Sequence, residues 1–331
     1  MSVPRAVYVF LVVGLVAASQ SGNIIKLGQA HPVAITAWRL LIATVLLAPL
    51  AARHYGLLRH LSRRDLLLLF VAGAALAAHF FTWIAAVQLS TVANAAVFFS
   101  VNPVIIALAG YFIFGERVGP RLLVSIGLGL AGVVIIGWGD LRLRPEYLAG
   151  DLSSVVCAVL FAVYFLVAKH VRPRLPSRVY VVVVYGSACV VSFATLFALR
   201  LPVVTYNDQT WLCFVLMALV PTMVGHTSLN HAVRYVSASR ISVATLSEPV
   251  LAGLVAFYAW DQPVSTQTAV GYVVICSSVV VLVMDRERKV EAQRAAVSGD
   301  GAGRAPGAPA RPGPAEPAPA PSDRPRGPGS A

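Results

Sequence analysis

Charge is scarce in this chain. Of its 331 residues only 12% are Asp, Glu, Lys or Arg, where an ordinary soluble domain carries roughly 25%, and the mean hydropathy is +0.76. That balance excludes a soluble globular enzyme, because too little polar surface remains to face water. Cysteine is scarce as well: Cys157, Cys189, Cys213 and Cys276 lie tens of residues apart, each inside an apolar run. Such spacing suggests neither a disulfide framework nor a metal centre, and the four read as small hydrophobes. No Gly-Lys-Ser or Gly-Lys-Thr occurs, so nothing supports a nucleotide-driven process through a phosphate-binding loop. Acidic residues are outnumbered: 14 stand against 26 Lys and Arg, for a net charge of +12. A clustered excess of that size would fit nucleic acid, but these charges gather on no single element.

Long apolar runs are abundant instead. A bilayer core asks for about 20 apolar residues per helix, because every backbone N–H and C=O inside it must be satisfied within the segment. Residues 6–25 carry no formal charge, 33–52 hold only Arg39, and 66–115 are uncharged throughout. The last run is too long for one crossing, and Gln88, Ser90, Thr91 and Asn94 divide it into 66–87 and 92–114. Further spans fall at 122–139, 152–168, 179–199, 209–233, 241–260 and 262–284. The expectation is an all-α polytopic membrane protein with ten transmembrane helices. A cleaved signal peptide is the alternative for the first span, but its apolar core exceeds the usual length of roughly 7–15 residues.

With the N-terminus inside, sixteen basic residues flank the cytoplasmic ends of these spans, among them Arg63, Arg64, Arg172, Arg174 and Arg240, and four lie on the other side. By the positive-inside rule both termini are expected in the cytoplasm and the protein in the plasma (inner) membrane. The charge is thereby explained without nucleic acid. After Met284 the composition changes, and nine of the 21 prolines fall between Asp300 and Ala331. Residues 286–331 are read as a disordered cytoplasmic tail rich in Pro, Ala and Gly.

Shifting the chain by 146 positions lays 92–139 on 238–285, with Pro103 on Pro249 and seven other identities in 48 positions. Five spans before Asp140 match five after Asp151, and an odd number per half makes the halves enter the membrane from opposite sides. The domain reading is a first five-helix repeat at 1–140 and an inverted second repeat at 150–285, the arrangement in which transporters place substrate sites near mid-membrane. Pro103 and Pro249 are read as a hinge pair, because an internal proline removes a backbone hydrogen bond and bends its helix.

His79-Phe80-Phe81-Thr82-Trp83, Asn102-Pro103 and Phe114-Gly115-Glu116-Arg117 are similar to the first repeat of the EamA branch of the drug/metabolite transporter superfamily. The run Gly225 to Ala232, then Tyr235-Val236-Ser237-Ala238 and Ser247-Glu248-Pro249-Val250, resembles its second repeat. The resemblance spans the whole membrane part, from Ala6 to Asp285. It implies a ten-helix fold and transport, often export, of small metabolites, with no particular substrate. Asp261-Gln262 replaces the Gly-Glu that closes the fourth helix, so no symmetric role is carried over for Glu116.

Arg39 and Glu248 are the only formal charges well inside spans, where insertion costs roughly 2.5–3.5 kcal/mol. Both are expected to face a central cavity, Arg39 meeting anionic groups or helix-end carbonyls and Glu248 accepting a proton or cation. A structural ion pair between the halves is the alternative. His79 and His226 fall on equivalent positions if the offset slips by one, and such a pair suits proton coupling or substrate binding as well as packing. Trp83, one turn from His79, suits stacking on a ligand. Gln20 and Asn23 at the end of the first span are candidates for substrate hydrogen bonds, and Asn230, Asn94 and Asn102 share that reading; all serve equally as glue between helices. Gly127, Gly129 and Gly132 spell GxGxxG, but they sit mid-span without a preceding strand, so they are assigned to close helix contact.

The function expected is secondary active transport, in the outward direction, of a small metabolite by alternating access, with proton coupling as its sharpest form. The rivals are a membrane-embedded enzyme acting on a lipid-linked substrate and a receptor or scaffold signalling through the tail. No catalytic residue, metal or cofactor is assigned. The expected partners are a small-molecule substrate and the bilayer, with a homodimer left open.

Overall fold

A computed structural model describes residues 5–90, 92–115, 118–138, 145–171, 175–260, 264–282 and 284. The proline-rich tail therefore lies outside the described residues. Every regular element among them is helical: α1 (Arg5–Ser19), α2 (Ser21–Ile25), α3 (Pro32–Ala51), α4 (Arg63–Leu89), α5 (Val92–Phe99), α6 (Asn102–Phe114) and α7 (Pro120–Trp138). Then follow α8 (Leu148–Val171), α9 (Ser177–Ala198), α10 (Asp208–Met217), α11 (Thr227–Ala232), α12 (Ala238–Thr245), α13 (Glu248–Trp260) and α14 (Thr266–Leu282).

Eight helical segments among the described residues are long and apolar enough to cross a membrane, the last being Asp208–Ala232. Sequence reading expects ten. The remaining two apolar stretches are α12 with α13, interrupted at Leu246 and Ser247, and α14, a shorter helix of 17 residues.

Local chemistry sets the helix ends. Asp65 N–H donates to Ser62 Oγ at 3.1 Å, while the Ser62 hydroxyl donates to the Asp65 carboxylate at 2.9 Å, a side-chain cap for the start of α4. Asn207 accepts from the Thr210 N–H at 2.8 Å and opens α10. Gly115 ends α6 in the left-handed region, at φ 63°.

The buried core runs through α3, α4, α8 and α9, where Leu40, Leu76, Phe80, Phe165, Tyr180 and Tyr185 are almost fully enclosed. Apolar side chains also cover the outside: Phe112 is 78% and Tyr258 81% exposed. A polypeptide apolar both within and without suits hydrocarbon as its solvent. The glycine string in α7 has its explanation in packing. A Cβ on Gly132 would stand 2.5 Å from Ile275 Cγ1 and 3.0 Å from the Gly271 carbonyl of α14, whereas one on Gly127 would meet nothing within 4 Å.

Pro103 and Pro249 each sit in the first turn after an interruption, Pro103 in α6 and Pro249 in α13. In both places the interruption is two residues long, Ser100–Val101 and Leu246–Ser247. A proline lacks the N–H that would continue the helix and crowds the residue before it, so a break with a restart at the proline is the low-energy outcome.

Candidate functional site

One proline of the bundle lies beside the residue that holds Arg39. Pro221, inside the π-helical turn Ala218–His226, has no N–H for the carbonyl of Met217. The Thr222 hydroxyl donates to that carbonyl instead, at 2.7 Å, and its oxygen accepts from Arg39 Nε at 2.8 Å. A widened turn thus turns a threonine inward to hold the arginine, consistent with the frequent occurrence of π-turns at functional sites.

Arg39 is 1% exposed, and its guanidinium carbon lies 3.8 Å over the centre of the Phe80 ring. This face-on placement is a cation–π contact. The two terminal nitrogens, Nη1 and Nη2, are buried and have no hydrogen-bond partner among the described residues. No ion pair joins Arg39 to Glu248 there; both instead line a cavity of about 470 Å³ together with His79, Trp83, Phe99, Phe161 and His226. A buried guanidinium left with free donors is costly unless something anionic or polar completes it.

The histidines meet as well. His79 donates from Nδ1 to the Cys157 carbonyl at 3.1 Å, which leaves Nε2 as an acceptor on the neutral ring. Its ring centre is 6.1 Å from that of His226, whose Nδ1 is buried and unpartnered among the described residues. Phe80 stands edge-on to His226 at 5.0 Å, and Phe161 lies 5.2 Å from His79. Helices α3, α4 and α8 and the π-turn each contribute to this cluster.

A second cavity of about 590 Å³ adjoins the first and is lined by Asn23, Ser100, Asn102, Pro249 and Ala252. The two share Ser21, Trp83, Phe99, Thr245 and Glu248 in their walls, which form the neck between them. Trp83 is tied there by a 3.0 Å hydrogen bond from Nε1 to Ser21 Oγ. Glu248 is half-buried at the same neck.

Of the residues singled out from sequence, Arg39, His79, Trp83, His226 and Glu248 converge on the first cavity and Asn23, Pro249 and Glu248 on the second. Gln20 does not line either; it donates to Ser19 Oγ at 2.8 Å and accepts from Asn23 at 3.1 Å, so it braces the junction of α1 and α2. Asn230 donates to the His226 carbonyl at 2.8 Å and to the Tyr164 hydroxyl, which ties α11 to α8 outside both linings. Pro103 is buried at the head of α6, beside Asn102 in the second cavity wall. Asn94 donates to the Asp151 carboxylate at 3.2 Å, a link from α5 to α8.

Sequence reading misses Phe80, Phe99, Phe161 and Thr222. Phenylalanines in apolar helices carry no mark that separates cavity wall from packing. Pro221-Thr222 does carry one, since a hydroxyl beside a helix-internal proline is positioned to take up the freed carbonyl.

Apolar helices in number, enclosing charged and aromatic side chains around a void, define a multi-pass membrane protein built to admit a small molecule. The sequence profile of the EamA-like transporter family matches residues 5–138 and again 148–284. The chain belongs to that family and is a membrane transporter. It is 27% identical over 203 residues to an uncharacterized transporter of Archaeoglobus fulgidus, covering 60% of this chain and 70% of that one. To the aromatic amino acid exporter YddG of Ancylobacter novellus it is 28% identical over 179 residues, 53% of this chain and 61% of the exporter. A solved crystal structure shares its fold with a TM-score of 0.74 at 22% identity, covering 86% of this chain and 99% of that one.

Proposed function

We propose that the chain is a secondary active exporter of ten helices in two inverted five-helix repeats, residues 1–140 and 150–285. The two alternately open the paired cavities to either side of the inner membrane. In this reading α12 with α13, and α14, are the ninth and tenth crossings, and both termini are cytoplasmic. Support comes from the two successive family matches and from the two helix breaks, at Ser100–Val101 and Leu246–Ser247, which stand 146 positions apart like the prolines behind them.

The observation that carries the substrate class is the first cavity, where two Arg39 nitrogens without a partner among the described residues, Glu248 and aromatic side chains form the lining. Arg39 offers a forked pair of donors to a carboxylate, Glu248 a counter-charge to an ammonium, and Trp83, Phe99 and Phe161 flat faces to an apolar body. A small amphipathic metabolite bearing an anionic group fits all three. The name of the YddG relative points to aromatic amino acids, and we extend that class to this chain. Proton coupling is assigned to Glu248, because a carboxyl at the neck of the cavity is within reach of both water and substrate.

In proteoliposomes preloaded with aromatic amino acids, an imposed pH gradient is expected to change efflux, and Glu248→Gln to abolish that change. Gradient-dependent efflux in the mutant equal to wild type removes Glu248 from coupling. For the inverted fold, cysteines replacing Arg63 and Arg172 are expected to label from the same, cytoplasmic side; labelling from opposite faces refutes it.

A further inference from the structure

The two helix breaks are not chemically alike. Pro103 deprives the Phe99 carbonyl of its helical donor, and the Asn102 side chain supplies a replacement, Nδ2 donating to Phe99 O at 3.3 Å. The offset of 146 that lays Pro103 on Pro249 lays Phe99 on Thr245 and Asn102 on Glu248. In the second break the carbonyl that loses its donor to Pro249 is therefore that of Thr245, and the side chain in the capping position is a carboxyl. A carboxylate has no hydrogen to give, and its negative oxygens are repelled by the carbonyl oxygen. A protonated carboxyl has one O–H donor.

We propose that Glu248, when protonated, caps the Thr245 carbonyl as Asn102 permanently caps that of Phe99, so that taking up a proton and closing the α12–α13 break are one event. Thr245 and Glu248 both lie in the neck shared by the two cavities. The break is thus a joint whose stiffness is set by one proton, drawn from cavity water and returned to it. The first break, with an amide, is a fixed joint. Fixing α13 to α12 moves the wall formed by Pro249 and Ala252, since α13 packs against α1 and α2 at the edge of the second cavity.

The proposal deepens the assignment of Glu248 as coupling residue, but it can fail while transport stands. Other titratable groups face the same space: Arg39 from α3, His79 from α4 and His226 from the π-turn. From α14, the Tyr272 hydroxyl lies against Gly253 of α13. The α1 and α2 residues in the walls, Ser19, Ser21 and Asn23, do not titrate.

The test needs no substrate. In the full-length protein in nanodiscs, with the exposed Cys276 replaced by serine and the other three cysteines buried, the labelling rate of Ala252→Cys by a charged methanethiosulfonate is followed against pH and divided at each pH by the reagent's rate with a small free thiol, since only the thiolate reacts. The expected result is slower labelling at low pH by roughly fivefold, the weight of one net hydrogen bond of about 1 kcal/mol. Glu248→Gln, which always has a donor, is expected to label slowly at every pH and Glu248→Ala quickly at every pH. A converse variant, Asn102→Asp, is expected to make labelling at Ala96→Cys pH-dependent where the parent is flat. A wild-type pH dependence that survives in Glu248→Gln belongs to the histidines and overturns the proposal, as does equal labelling of the Gln and Ala variants.

Discussion

Replacing Thr222 by valine keeps the side-chain shape and deletes one hydroxyl that makes two bonds. It donates to the Met217 carbonyl at 2.7 Å and accepts from Arg39 Nε at 2.8 Å, in a site that is 0% exposed. Neutral hydrogen bonds between membrane helices are worth about 0.6 kcal/mol on average. A bond to a charged group is worth about 1.5–3 kcal/mol, because its loss leaves a buried charge with one fewer partner. The charged bond dominates, and Thr222→Val is expected to destabilise by about 2–3.5 kcal/mol. Equilibrium unfolding in mixed detergent micelles measures it. Thr222→Ser retains the hydroxyl and is expected to lose much less. In an Arg39→Met background the same valine is expected to cost only the smaller contribution, so the cycle isolates the arginine bond. A Thr222→Val penalty that is unchanged in the Arg39→Met background refutes the claim that this threonine holds the arginine. Serine as damaging as valine refutes the role of the hydroxyl altogether.

Other outcomes are open to direct measurement. Arg39→Lys retains the charge but loses the fork and the flat contact with Phe80, so efflux of a carboxylate substrate is expected to lose at least about tenfold in apparent affinity, or about 1.4 kcal/mol; transport within twofold of wild type excludes a bidentate role. Gly132→Val forces α7 from α14 and is expected to cost about 1–3 kcal/mol, while Gly127→Ala in the same string, with nothing within 4 Å of its new Cβ, is expected to be harmless by the same unfolding assay. Deleting residues 300–331 is expected to leave proteoliposome efflux near normal; its abolition favours a signalling role for the tail.

The class of protein is legible in the residues themselves. Ten apolar runs with few charges demand a bilayer, and short motifs around His79, Asn102, Gly225 and Glu248 carry the family. Arg39 and Glu248 stand out because an ionised group in hydrocarbon must be compensated, and that cost is visible in one dimension. What compensates them is not. Sequence reading entertains an ion pair between the two, and the fold instead seats Arg39 on Phe80 and Thr222 while Glu248 remains at the neck. Gln20 and Asn230 look like Asn23 in the sequence, since an amide in an apolar helix has one composition whether it faces a void or a neighbour. Only packing sorts them.

The prolines mark the same boundary. Their removal of a backbone N–H is a covalent property, fixed wherever Pro103, Pro221 and Pro249 occur. Which side chain takes up the freed carbonyl is decided by packing: Thr222 for Met217 and Asn102 for Phe99. Composition and order therefore determined that the chain lies in a membrane and where its helices are weakened, because solvation and missing donors act locally. The cavity, its aromatic walls and the orphaned nitrogens of Arg39 were decided by tertiary structure, because they require residues scattered from position 18 to position 252 to be neighbours.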